Sequence, residues 1–312
     1  MGESLRTLQT SDGRQVAYAV WGDPNGFPVM SLHGTPGCRL DRWPHEDVYA
    51  GLGVCVVTHD RAGYGQSTRR PGRSVADEVD DVAAIADDLG IDRFGVSGGS
   101  GGGPHSLACA ALLPDRVVRA TCIVGVAPFG PGGLERDEWL GGMDPENIKE
   151  FNWVEAGEEV LTRELEKAYA EMKERVAADA SRILDGFELS DADRKALKDP
   201  DRMKAISESV PEVGANGVGG WVDDDLAVLK PWEFDVAQIA VPTLVWYGAT
   251  DVLVPRAHGD WLAANVPGCA MKVDELSGHL GSDPVPDITA NMRWLRNGEL
   301  PADARAGSFS SV

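Results

Sequence analysis

A serine attacks a carbonyl only when a neighbouring base takes its proton, and Arg93-Phe-Gly-Val-Ser-Gly-Gly-Ser-Gly-Gly-Gly-Pro-His105 offers two serines for such a role. Both Gly95-Val-Ser97-Gly-Gly99 and Gly98-Gly-Ser100-Gly-Gly102 satisfy the G-x-S-x-G spacing of a strand-to-helix elbow, which lifts a hydroxyl above a sheet. Position decides between them. Ser97 falls inside an apolar strand, whereas Ser100 comes where the strand must end, directly before Gly101-Gly102-Gly103 and an apolar helix starting near Pro104. Flanking glycines relieve the crowding of such a turn, and the helix N-terminus favours developing negative charge. Ser100 is therefore the candidate nucleophile. A glycine-rich phosphate loop is the competing reading, but no Gly-Lys-Ser/Thr ending follows and no G-x-G-x-x-G stands after the first strand.

The base for such a serine is normally an imidazole, and six histidines are available. His33 and His59 close predicted strands, His105 lies on the helix after Ser100, and His45 falls in a surface helix. His258, early in a helix after Pro255, reads as exposed or capping. His279, in Glu275-Leu-Ser-Gly-His-Leu-Gly281, follows the last predicted strand and can reach the carboxyl edge of the sheet. A carboxylate must hold its tautomer. Asp251 lies just beyond a strand, is the sole acid in the apolar stretch 241–255, and completes the chain order Ser, Asp, His. Asp283 is the runner-up, better read as a loop or cap residue before Pro284. For a tetrahedral oxyanion, the N–H of Gly101 beside the nucleophile and that of Thr35, in His33-Gly-Thr-Pro-Gly37, are the expected donors. This chemistry needs no metal and no cofactor. Asp223-Asp224-Asp225 could hold a cation, although three consecutive acids are usually solvated.

These residues require a sheet to position them. Strand-type runs fall at about 4–10, 14–22, 27–33, 54–60, 93–98, 118–126, 242–248 and 270–276 and alternate with helical patterns, the mark of an α/β chain with a mostly parallel, eight-stranded sheet. Ser11-Asp12-Gly13 is turn chemistry, so the first two strands form an antiparallel hairpin. Val75, Val79, Val82, Ala86 and Leu89 recur at helical spacing behind a possible N-cap at Ser74. The strand rhythm stops near Ala127 and resumes near Pro231. The core is thus expected to comprise 1–127 and 232–312, with 128–231 a helical insertion carrying an apolar stripe at Leu161, Leu165, Tyr169, Met172 and Val176. Phe129, Trp139, Met143, Phe151, Trp153 and Trp221 are the insertion's candidates for lining a substrate pocket. The last residues, from Ala302, read as a frayed tail.

At these residues the chain resembles the α/β-hydrolase superfamily, in the branch with an HG-x-PG oxyanion loop and a helical cap. The matches are His33-Gly-Thr-Pro-Gly37, Asp60-Arg-Ala-Gly-Tyr-Gly-Gln-Ser67, Ser100-Gly-Gly-Gly-Pro104, Leu113-Pro-Asp-Arg-Val117, Gly248-Ala-Thr-Asp251 and Gly278-His279. The resemblance implies an α/β-hydrolase fold whose 128–231 segment is a cap, structural support from Asp60 and Arg61, and hydrolysis of a small-molecule ester or lactone. Proline iminopeptidases share the His33 loop but carry Trp after the nucleophile, where this chain has Gly101. Haloalkane dehalogenases and epoxide hydrolases place Asp where Ser100 stands. A C–C bond hydrolase and a cofactor-free haloperoxidase would use the same triad, and a non-catalytic ligand-binding module could keep the fold.

Bulk properties narrow the partners. The 29 Lys and Arg against 50 Asp and Glu give a formal charge of -21, which opposes nucleic-acid binding. Five cysteines without zinc-type spacing, several in apolar runs, read as buried free thiols in a reducing compartment. The N-terminus lacks a signal-peptide pattern and no run reaches membrane-spanning length, so a cytoplasmic location without a membrane partner is expected.

Overall fold

The computed structural model describes residues 5–43, 46–281 and 283–307; His45 therefore lies outside the described residues. Runs rich in β-branched and aromatic residues form strands β1 (Arg6–Gln9), β2 (Gln15–Gly22), β3 (Phe27–Leu32), β4 (Val54–His59), β5 (Phe94–Gly99), β6 (Val117–Ile123), β7 (Thr243–Gly248) and β8 (Ala270–Asp274). The described residues join into one eight-stranded sheet, ordered β1-β2-β4-β3-β5-β6-β7-β8. The expected hairpin is present, β2 runs antiparallel to both β1 and β4, and the remaining pairs are parallel.

A parallel sheet must be covered on both faces. The helices are α1 (Glu46–Gly51), α2 (Glu78–Asp88), α3 (Gly102–Leu112), α4 (Arg136–Trp139), α5 (Pro145–Glu155), α6 (Glu158–Ala178), α7 (Asp191–Ala196), α8 (Pro200–Val213), α9 (Gly219–Val228), α10 (Arg256–Asn265) and α11 (Pro284–Asn297). One apolar cluster unites Val82 and Ile85 of α2, Leu107 of α3 and Leu262 of α10 with Met30, Val57 and Val96 of the sheet. The other joins Tyr49 of α1 and Ile288, Met292 and Leu295 of α11 to Val29, Val56 and Leu244. Neighbouring strand residues thus feed opposite faces, as the period of two requires.

Two local expectations change. Ser74 does not cap α2: its N–H and hydroxyl donate to Asp77 at 2.7 and 3.1 Å, and this turn delays the helix to Glu78 while leaving Val75 buried. The C-terminal segment is not simply frayed, because Arg305 exchanges backbone hydrogen bonds of 2.7 and 3.0 Å with Met271 beside β8.

Helices α4 to α9 all lie between β6 and β7. The buried residues of α6 are Leu161, Leu165, Tyr169, Met172 and Val176, the stripe expected from spacing. They pack on Val210 and Val213 of α8 and on Trp221 and Val222 of α9, with Cys38 and Tyr64 completing the cluster. By contrast, Leu134, Trp139, Leu140, Met143 and Phe151 join the cluster that includes α2, α3 and α10. Among the described residues, no helix is long and apolar enough to cross a membrane. All five cysteines are free and buried.

Candidate active site

Strand β5 ends at Gly99, and the chain turns into α3 through Ser100 at a φ of 53°, a left-handed conformation unusual for a residue with a side chain. The turn is closed by Ser100 N–H donating to Ile123 O at 2.8 Å and Gly103 N–H to Ser100 O at 2.8 Å. Glycine is needed around it. A Cβ on Gly98 would come within 2.0 Å of Gly102 O, and one on Gly102 within 2.4 Å of Leu32 O. Ser97 is buried inside β5, where its hydroxyl accepts a 3.0 Å hydrogen bond from Asn291 Nδ2 of α11. The elbow therefore presents Ser100 and not Ser97.

At the far side of the sheet edge, Asp251 follows β7 and His279 follows β8. His279 Nδ1 lies 2.8 Å from Asp251 Oδ2, while Asp251 Oδ1 accepts from the N–H groups of Leu253 and Val254 at 2.8 and 2.9 Å. With the carboxylate so fixed, Nδ1 carries the ring proton and Nε2 is left to accept one. Burial opposes charging the ring, yet the charge and hydrogen bond of Asp251 outweigh it and raise the imidazole pKa above its ordinary value. The histidine loop is held from several sides. A Cβ on Gly248 would meet Gly278 O at 2.3 Å, Leu280 N–H donates to Asp193 Oδ1 at 2.8 Å, and Arg202 Nη2 donates to Leu280 O at 2.8 Å. Asp193 and Arg202 belong to α7 and α8.

The loop after β3 meets the elbow at Gly101. An ideal Cβ on Gly101 would lie 2.2 Å from Thr35 Oγ1 and 3.0 Å from Thr35 N, so the threonine side chain occupies the space that a larger residue at 101 would need. Among the described residues, no backbone carbonyl takes the N–H of Thr35 or Gly101. His33 is buried, with Nδ1 donating to Gly34 O at 2.7 Å and Nε2 accepting from Arg61 N–H at 3.1 Å. Burial and the adjacent Arg61 charge hold its pKa well below the usual imidazole range. In Asp60-Arg-Ala-Gly-Tyr-Gly-Gln-Ser67, Asp60 accepts from the N–H groups of Arg39 and Gln66 at 2.7 and 2.9 Å. Gly65 stands where a Cβ would be 2.2 Å from that carboxylate.

Two backbone N–H groups that no described backbone carbonyl takes, beside a half-buried serine and with an Asp-supported imidazole at the same ends of the strands, form the parts list of acyl-transfer chemistry. Residues 28–284 match the model of a family described as alpha/beta hydrolase fold. The chain belongs to the alpha/beta hydrolase family. A proline iminopeptidase of Neisseria meningitidis is 28% identical over 303 residues, covering 89% of this chain and 90% of its own. A non-heme chloroperoxidase of Streptomyces lividans is 32% identical over 127 residues, 40% of this chain and 46% of its own. The solved enol-lactonase from Burkholderia xenovorans shares the fold with a TM-score of 0.64 at 19% identity, covering 93% of this chain and 99% of its own.

In this alpha/beta hydrolase the acidic run is buried rather than solvated, and its three carboxylates diverge. Successive helix positions point about 100° apart, so Asp223 pairs with Arg69 at 2.8 Å, Asp224 with Arg61 and Arg73 at 2.5 Å each, and Asp225 turns toward Glu150. His258 is buried rather than exposed, because Nδ1 accepts from Ala127 N–H at 3.1 Å and Nε2 donates to Trp139 O at 2.9 Å; burial brings its pKa down to about 4. Asp283 is exposed and stands at the start of α11. Of the aromatic candidates, Phe129, Trp139 and Phe151 touch one another with ring centroids 5.5–5.9 Å apart, and Met143 joins their cluster. Trp221 donates to Glu150 at 2.7 Å, and Trp153 packs on the α6 cluster under Lys149. Sequence reasoning passed over Asp193, Arg202 and Glu150 and saw Asp224 only as part of an acidic run; no motif marks their roles, since each acts across 70 residues or more of chain.

Proposed function

We propose that this hydrolase cleaves a carboxylic ester or lactone of a small molecule, with Ser100 as nucleophile, His279 as base and Asp251 as the group that orients it. The observation that carries the reading is the 2.8 Å His279–Asp251 hydrogen bond on the strand edge where the strained Ser100 elbow stands. Ser100 Oγ adds to the substrate carbonyl as its proton passes to His279 Nε2, and the oxyanion forms against the N–H groups of Thr35 and Gly101. His279 then protonates the leaving alcohol. Water, deprotonated by the same imidazole, resolves the acyl-enzyme and frees the acid. Neither step calls for a metal. The helices of 128–231 act as a cap over this edge, with Phe129, Trp139, Met143, Phe151, Trp153 and Trp221 as its apolar wall.

A fluorophosphonate probe followed by peptide mapping tests the class: modification at Ser100 supports it. Ser100→Ala is expected to lose several orders of magnitude on p-nitrophenyl esters. Full activity in Ser100→Ala with loss in Ser97→Ala would move the nucleophile. A panel of acyl esters and lactones then defines the substrate.

One observation favours a second reading, that of an iminopeptidase. Asp225 and Glu150 are buried acids that face each other, and Asp225 Oδ2 is buried without a hydrogen-bond partner among the described residues. A protonated substrate amine would give this acidic pair a counter-charge and a hydrogen-bond donor. Under this reading proline p-nitroanilide is cleaved faster than its N-acetyl analogue, and Asp225→Asn lowers that ratio; equal rates on both compounds would remove it.

A further inference from the structure

The acyl-transfer scheme uses the backbone of Thr35 but not its hydroxyl, and it makes no use of Asp224, yet the structure ties the two together. Asp224, on α9, is 1% exposed. Its carboxylate accepts Thr35 Oγ1–H at 2.8 Å, Tyr64 Oη–H at 2.8 Å, Arg61 Nε–H at 2.9 Å and Arg73 Nη2–H at 2.5 Å. Burial disfavours its charge, but the two guanidinium groups more than compensate and hold its pKa well below the usual range. Arg61 extends the same network onto the loop backbone, donating to His33 O at 2.9 Å and to Gly34 O at 3.1 Å. The loop 33–35 is thereby fixed by side chain and backbone together, and the point fixed is the residue whose N lies 3.0 Å from the Cβ position of Gly101.

We propose that Asp224 is a positioning residue for the oxyanion hole: through Thr35 Oγ1 and Arg61 it sets the direction of the Thr35 N–H. The helices between β6 and β7 therefore help to build the transition-state site as well as cover it. This rests on Ser100 acyl transfer. An oxyanion donor is effective only when aimed before the charge develops, so a loop free to rotate by a few tenths of an ångström loses rate without losing substrate.

Thr35→Val is the direct test. It exchanges a hydroxyl for a methyl, keeps the N–H, and leaves Asp224 with Arg61, Arg73 and Tyr64, so no buried charge is orphaned. The expected result on p-nitrophenyl acetate is a kcat lower by about ten- to a hundred-fold with KM little changed. Affinity for a trifluoromethyl ketone, which forms an oxyanion on Ser100, should fall by the same factor. Thr35→Ser should recover most of the loss. Asp224→Asn combined with Thr35→Val should lose less than the product of the two single losses, because both act on the same loop. A Thr35→Val enzyme with near wild-type kcat and a lower melting temperature would show a merely structural bond and overturn the proposal, as would a lower kcat with unchanged ketone affinity. If the fluorophosphonate labels Ser100 while Thr35→Val behaves as wild type, only this inference falls. Failure to label Ser100 in the wild-type protein takes down the acyl-transfer reading with it.

Discussion

Asp251→Asn is the substitution whose outcome the coordinates define most closely. Oδ1 of Asp251 receives two backbone N–H donors, from Leu253 and Val254, at 2.8 and 2.9 Å. An asparagine must place its carbonyl oxygen there, because an amide NH2 would face two donors. Its NH2 then occupies the Oδ2 position, 2.8 Å from His279 Nδ1. As a donor it forces Nδ1 to accept, so the ring proton moves to Nε2, the nitrogen that takes the serine proton in the proposed mechanism. The enzyme keeps its shape with the base in the wrong tautomer. Related triads lose about ten-thousand-fold in kcat for this change, equivalent to about 5 kcal/mol of transition-state stabilisation. Loss of the carboxylate charge also removes what raises the His279 pKa, so the residual activity should have its acidic limb at lower pH. Stopped-flow acylation by p-nitrophenyl acetate measures the rate, and nitrogen NMR of labelled histidine reads the tautomer. A variant within about ten-fold of wild type, or one whose proton stays on Nδ1, would refute the reasoning.

Under the proposed mechanism the neutral imidazole of His279 is the base, and Asp251 outweighs burial to raise its pKa, so the acidic limb of kcat/KM is expected above the ordinary histidine value of about 6.5. The same shift sets a stability signature: because the folded-state pKa is raised, the contribution of His279 is fully present below about pH 6.5 and fades as pH climbs through the folded value. The melting-temperature gap between wild type and His279→Gln should therefore shrink with rising pH. Gly278→Ala puts a Cβ 2.0 Å from Asp193 Oδ2, so it should push the histidine loop and lower kcat more than KM in steady-state assays. Burial and Glu150 raise the Asp225 pKa well above normal, which means the folded protein holds a proton that the unfolded chain releases above about pH 4. Asp225→Asn should accordingly raise the melting temperature at pH 8 and change it little at pH 4.

The sheet was legible because its strands are short apolar runs separated by turn residues, and local composition is enough to find them. The elbow was legible for a related reason: Ser100 and its glycines are contiguous, and the steric need for each is met within a few residues, as with Gly98 against Gly102 O at 2.0 Å. Helix α2 shows where local reading stops. Ser74 has cap chemistry, but Asp77 captures its donors and moves the start. Asp223-Asp224-Asp225 shows a deeper limit. The run looks like a solvated face, and only the approach of Arg69, Arg61 and Arg73 from elsewhere in the chain makes the charges of Asp223 and Asp224 tolerable inside, while Asp225, facing Glu150, is driven toward its neutral form. Nothing near residue 224 in the chain announces those partners.

That dependence also decides whether the enzyme could do without the segment 128–231. A detachable cap would leave an intact sheet domain behind, yet Trp139, Met143 and Phe151 are 5–8% exposed and belong to the apolar cluster that holds α2, α3 and α10 on the sheet. Removing a buried Trp or Phe costs about 3–5 kcal/mol and a buried Met about 2–5. Three such losses consume most of the roughly 5–15 kcal/mol by which domains of this kind are stable. The loop 33–35 and the His279 loop would in addition lose Asp224, Asp193 and Arg202. Replacing 128–231 by a glycine-serine linker should therefore yield a chain without a cooperative melting transition. A folded, ester-cleaving product of that deletion would show that the sheet domain carries its own stability and that its catalytic loops need no anchoring from the helices above them.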